Sequence, residues 1–204
     1  MHISEGVLSA PVLLAGVVFT AAGVAVGLKK TEPEKIPQVA VLTSAFFVAS
    51  LVHVPIGFSS VHLVLNGLLG LLLGWAAFPA ILVALALQAL LFQFGGLTTL
   101  GINTFNMAFP ALVCYYLFAR AIPRKRDDLG LVLAFMCGFI AILLSALLVA
   151  ACLVFTGESF MAAAKVLLLA HLPVMCIEGT ITAFCYAFIK KVKPEMLGVT
   201  HAAS

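Results

Sequence analysis

Long apolar runs separated by short polar breaks fill almost the whole chain. They fall at Leu8–Leu28, Ile36–Val54, Val61–Phe78, Pro79–Phe94, Thr104–Ile122, Gly130–Phe155 and Ala162–Ile189. A helix needs about 20 mostly apolar residues to cross a bilayer core, so each run is predicted as a membrane span. The runs are continuous rather than alternating, which argues against a membrane β-barrel and against strands generally. The third and fourth runs abut at the turn from Trp75 to Pro79. Pro79 suits the first position of a new helix, where its missing N–H costs nothing. Reading the two as one helix would give six spans instead of seven.

The charges decide between the counts. Short loops on the cytoplasmic side collect Lys and Arg. Seven spans put Lys29, Lys30 and Lys35, then Arg120, Arg124, Lys125 and Arg126, then Lys190, Lys191 and Lys193 on one side, which is ten of the eleven basic residues. Lys165 is the exception, and six spans would put the last group on the wrong side. The prediction is an all-α polytopic membrane protein, one integral domain over residues 1–204, with its N-terminus outside and its C-terminus in the cytoplasm. The start of the chain has no basic segment before its first apolar run, so no cleavable signal peptide is expected.

Composition agrees. Apolar residues make up 64% of the 204 and charged ones 9%, far from the roughly 25% charged of soluble domains. The mean hydropathy is +1.23. A soluble globule, a coiled coil, a disordered chain and a nucleic-acid-binding domain are all excluded on this count. Cys114, Cys137, Cys152, Cys176 and Cys185 all fall inside predicted spans and form no CxxC pair, so they read as small apolar side chains. Gly23/Gly27 and Gly70/Gly74 have the spacing that lets helices approach closely.

So few polar residues remain that each can be weighed. His2 precedes the first span; His53 closes the second and His62 opens the third; Ser59, Ser60, Asn103, Thr104 and Asn106 stand at helix starts; His171 and Glu178 share one face of the last span; His201 lies in the tail. Ser59, Ser60, Asn103 and Thr104 read first as helix caps. His53, His171 and Glu178 serve either as interhelical links or in transport chemistry, since an intramembrane carboxylate is costly without a partner.

His2 has a further possibility. A free α-amine on Met1, the His2 amide nitrogen and the His2 Nδ1 can close a five- and a six-membered ring around one metal ion. The amide must lose its proton, which favours ions accepting tetragonal nitrogen fields, such as Ni(II) and Cu(II), and makes affinity fall in acid. A fourth position stays open, and His62 is a candidate for it, with Asn66 one turn on as its support.

Three stretches carry a resemblance: Met1-His2-Ile3-Ser4-Glu5-Gly6; Ser59-Ser60-Val61-His62; and Gln88 to Ala108, which contains Gly95-Gly96-Leu97-Thr98-Thr99-Leu100-Gly101-Ile102-Asn103-Thr104-Phe105-Asn106-Met107. Together they closely resemble the CbiM/NikM family, the cobalt- and nickel-specific substrate-binding membrane components of energy-coupling factor (ECF) transporters. His171 and the Ile177-Glu178-Gly179 stretch are similar to the family as well, while Ser4 stands where Met or Pro is common.

The resemblance implies an ECF substrate-binding bundle with an extra N-terminal helix, in a cell's inner (plasma) membrane. It implies a Co2+ or Ni2+ cargo held by Met1, His2 and His62, with Asn103 and Asn106 steadying a buried terminus and no permanently bound cofactor. The implied partners are a membrane coupling (T) subunit, a pair of cytoplasmic ATPase (A) subunits and a small accessory membrane subunit. The chain has no GxxxxGK[ST] phosphate loop of its own. Two rival readings are an ECF component for an organic vitamin, and an intramembrane metallohydrolase built on His53, His171 and Glu178. The second lacks HExxH and GxSxG motifs.

Overall fold

A computed structural model describes residues 2–56, 59–119, 121–122 and 127–197; for the stretch between 53 and 62 it describes backbone alone. Met1, Arg120, Arg124, Lys125, Arg126 and His201 lie outside the described residues.

The architecture is helical. The α-helices are α1 (Ala10–Lys30), α2 (Ile36–Ala49), α3 (Asn66–Leu73), α4 (Ala77–Phe92), α5 (Leu100–Cys114), α6 (Asp127–Thr156) and α7 (Met161–Val192). A π-helical turn, Tyr115–Ala119, extends α5. Among the described residues five stretches are long and apolar enough to cross a membrane: Ala10–Lys30, Asn66–Phe92, Leu100–Ala119, Asp128–Thr156 and Glu158–Val192. Exposure has the polarity expected in lipid: on α7, Phe184 is 72% and Leu169 67% exposed, whereas His171 and Glu178 are 0%.

Asn66–Phe92 is not one straight rod. Gly74 (φ 54°, ψ −120°) breaks it, in a conformation open to glycine and strained for other residues. Beyond the break the chain turns back. The Leu72 carbonyl accepts from Gln38 Nε2 near the start of α2, and a methyl on Gly27 would strike the Trp75 carbonyl and Pro79 at the lysine-bearing end of α1. The far end of α4 meets the far end of α2, where Phe47 and Phe92 lie 5.9 Å apart and Gln88 Nε2 donates to Ser50 Oγ. α3 and α4 therefore form a V with its tip at Gly74. Gly23 packs on Phe78 in the same interface, so the Gly23/Gly27 spacing does serve close packing.

Two expectations need correction. α2 stops at Ala49 rather than Val54, and α3 starts at Asn66 rather than Val61. Between them lies an antiparallel hairpin, β1 (His53–Ile56) and β2 (Ser59–His62), with His53 opposite His62. His53, His62, Ser59 and Ser60 are thus strand residues rather than residues at helix ends. Pro55 and Gly57 disfavour helix here, and β-branched Val54, Ile56 and Val61 suit strand. The second correction concerns α5, which begins at Leu100 and not at Thr104. All five cysteines are free thiols, each within a helix.

Candidate metal centre

The site grows from a low helix start. α5 begins against the middle of α1: Thr20 Oγ1 donates to the Gly101 carbonyl (2.6 Å), and Gly16 lies against Ile102. Asn103 therefore sits roughly 10–15 Å below the first turn of α1, at 1.5 Å per residue. This leaves a recess between the α4 end and α5, and residues 2 and 3 descend into it. His2 is 5% and Ile3 0% exposed.

Asn103 grips the segment at two points. Its Oδ1 accepts from the Ile3 N–H (3.0 Å), and its Nδ2 donates to the Ile3 carbonyl (3.1 Å) and to Thr99 Oγ1 (3.1 Å). The connection from α4 to α5 closes over the top. The Glu5 N–H donates to the Gly95 carbonyl (3.2 Å), and Glu5 Oε1 accepts from Thr98 N–H (3.1 Å) and Thr98 Oγ1 (3.3 Å). That main-chain N–H holds the Glu5 carboxyl below its usual range. The His2 ring lies 6.4 Å from that of Phe94, tilted by 35°.

The two glycines of this connection leave room for the segment. A methyl on Gly95 would come within 3.4 Å of His2 Nδ1, and one on Gly96 (φ +135°) within 2.0 Å of Glu5 Cγ. A side chain in that backbone region costs about 1–3 kcal/mol. Gly96→Ala is expected to loosen the lid, raising amide hydrogen exchange at Ile3 and Glu5 about tenfold. Gly157→Ala, where the nearest atom is 3.7 Å away, should leave that exchange unchanged.

Other candidates have different partners from those expected. Asn103 and Thr104 are not caps: they lie a turn inside α5, and Thr104 Oγ1 donates back to the Leu100 carbonyl (2.8 Å). Asn66 Nδ2 donates to Ser145 Oγ (2.8 Å) and the Met107 carbonyl (3.4 Å). Asn106 faces Cys152, Nδ2 to Sγ 3.6 Å. His171 Nδ1 lies 2.7 Å from the Leu167 carbonyl, which can only accept, so Nδ1 carries a hydrogen. The Glu178 carboxylate accepts the N–H groups of Val64 and Leu65. Of His53 and His62 the structure places the backbone. Among the described residues no three His, Cys, Asp or Glu side chains cluster as a ligand set; two of the nitrogens in the chelate expected from the sequence are main-chain atoms.

Sequence reasoning overlooked Glu5 and its Thr98 partner, although both lie inside the motifs it singled out. It also overlooked the partners of Glu178, because a main-chain N–H leaves no mark in a sequence.

Known proteins resemble this chain over its whole length. A relative from Haemophilus influenzae named "Putative metal transport protein" is 43% identical over 202 residues, covering 98% of each chain. One from Archaeoglobus fulgidus named "Putative fused nickel transport protein NikMN" is 32% identical over 97% of this chain and 68% of its own. A crystal structure described as a truncated transition metal transporter superposes with a TM-score of 0.77 at 26% identity, covering 94% of this chain and 99% of that one. The family model for CbiM, the cobalt uptake substrate-specific transmembrane region, matches residues 2–196. These are transport components, not enzymes. The chain belongs to the CbiM family.

Proposed function

We propose that this protein captures Co2+ or Ni2+ on the non-cytoplasmic face of a plasma membrane and presents it to an ECF transporter for ATP-driven uptake. The observation that carries the reading is the buried placement of His2 and Ile3 beneath the connection from α4 to α5. A terminus drawn into a bundle loses chain entropy and hydration. Ligation of a cation by the Met1 amine, the His2 amide nitrogen and His2 Nδ1 would offset both. His62 supplies the fourth nitrogen from the end of β2.

The same reading sets the topology. Seven crossings, with α3 and α4 counted separately across Gly74, put the lysines at the end of α1 and the end of α7 on the cytoplasmic side. The first turn of α1 and the lid then face outward. Energy comes from other chains. The sequence has no phosphate loop, and a relative of which this chain spans 68% is named as a fused transport protein. The ECF coupling subunit, two ATPase subunits and a small accessory membrane subunit fill that role.

Side-by-side titration of the purified protein with Co(II) and Ni(II) tests this. Wild type should bind one ion per chain, and the two titrations give its preference between the ions. His62→Ala should weaken binding at least about tenfold, as expected for lost ligation or its support. No saturable binding of either ion by wild type would sink the proposal.

A further inference from the structure

Glu178 is a carboxylate with 0% exposure, halfway along an apolar helix and used by no step above. Its oxygens are turned toward main chain. Oε1 accepts the Val64 N–H; the Leu65 N–H lies 3.1 Å from Oε1 and 3.0 Å from Oε2. Val64 and Leu65 lie in the link between β2, which ends on His62, and α3, which begins on Asn66.

That link is not held by its own sequence. Leu65 is the N-cap residue of α3, has φ 54° and ψ 18°, and offers no side-chain cap. A left-handed conformation is uncommon for a residue with a branched, apolar side chain, and the N–H groups at a helix start need acceptors. Glu178 supplies the acceptor from a different helix, at the start of α3 where the helix dipole favours an acceptor. Its own backbone has little freedom. A methyl on Gly138 of α6 would lie 2.6 Å from the Glu178 carbonyl, and one on Gly67 of α3 would lie 2.7 Å from Gly138 Cα. The three helices are in near-backbone contact at this level, so the α7 main chain that carries Glu178 cannot shift without moving α3 or α6.

We propose that Glu178 is a positioning residue for the metal site: it clamps the exit of the β1–β2 hairpin and so fixes where His62 stands relative to His2. The inference rests on His62 as a ligand. It makes α7 part of the site without giving it a metal contact. A single residue, Leu63, separates His62 from the clamped Val64, so the histidine backbone is held within about 7 Å of the anchor.

The test is a double-mutant cycle on the full chain in detergent, read by Ni(II) titration and by the visible absorption of the bound ion. Glu178→Ala should weaken Ni(II) binding about tenfold and alter the absorption of the complex that remains. Glu178→Gln keeps one acceptor oxygen and should fall between alanine and wild type; it carries the test if the alanine protein does not assemble. In a His62→Ala background, Glu178→Ala should add less than about twofold, because residues acting through one contact are not additive. A full further tenfold loss there would mean that Glu178 acts independently of His62, and would overturn the proposal. So would wild-type affinity in both Glu178 variants alongside a weakened His62→Ala. Wild-type affinity in His62→Ala itself would overturn the ligand assignment instead, a separately recognisable result.

Discussion

A five-residue Gly-Ser extension placed ahead of Met1 is expected to lower Co(II) or Ni(II) affinity at least about 100-fold, while leaving the protein folded. Two losses coincide. The Met1 nitrogen becomes an amide, so the first ring of the proposed chelate has no amine to close on. The added residues also have to leave a recess whose floor is fully occupied, with Ile3 at 0% exposure and paired on both its N–H and its carbonyl. Removing a ligand or its support costs about 10–100-fold, and displacing the segment adds to that. A one-residue extension is a poorer test: it puts a histidine third from the new terminus, and the amine, two amides and that imidazole can wrap a nickel ion without any help from the bundle. The control is the same extension after Ser204. Equal affinity in the two extended proteins would show that the α-amine is not a ligand.

The helices were legible because apolar runs of helical length stand out in a chain with so few charges. α1, α4, α6 and α7 each lie on one of those runs. The break between the third and fourth runs shows both sides of this: Trp75 and Pro79 point to a turn, whereas the backbone breaks at Gly74 and α4 starts at Ala77, two residues before Pro79. The hairpin was not legible from the same patterns. Residues 53 to 62 contain no acidic or basic side chain other than the two histidines, so they merged into the apolar runs on either side. Pro55 and Gly57 were the available clues, and they weigh little against hydropathy averaged over a span.

The candidate site was legible in its residue types but not in its partners. His2 and Asn103 emerged because polar groups are scarce in this chain. Asn103 reads as a cap if α5 starts at Thr104; with Thr99 as the N-cap residue, it lies a full turn inside the helix, on the face that meets Ile3. Glu178 was visible as a costly carboxylate. Its partners are main-chain N–H groups 113 and 114 positions earlier, and no residue type announces such a contact.

Asn103→Leu should produce the second large effect, close to 100-fold weaker metal binding, without touching any proposed ligand. Leucine has the same branching and the same number of heavy atoms, so the change removes the amide's hydrogen bonds while keeping the shape of the side chain. What it removes is the sole side chain bonded to both polar groups of the Ile3 main chain among the described contacts. Leaving a buried donor or acceptor unmade costs about 1–3 kcal/mol, and here two are left at once. The segment can escape by rising out of the recess into water, so the cost appears as a shift toward a withdrawn terminus rather than as global unfolding. Binding must then draw the segment back, and about 2–3 kcal/mol of that work corresponds to roughly 30–150-fold in affinity. Hydrogen exchange separates this from damage to the bundle: the Ile3 amide should exchange freely in the metal-free variant, while amides in the middle of α6 stay protected as in wild type. Wild-type affinity together with an exposed Ile3 amide would mean that the cation is bound equally well by a withdrawn terminus, and that burial of the segment is not part of capture.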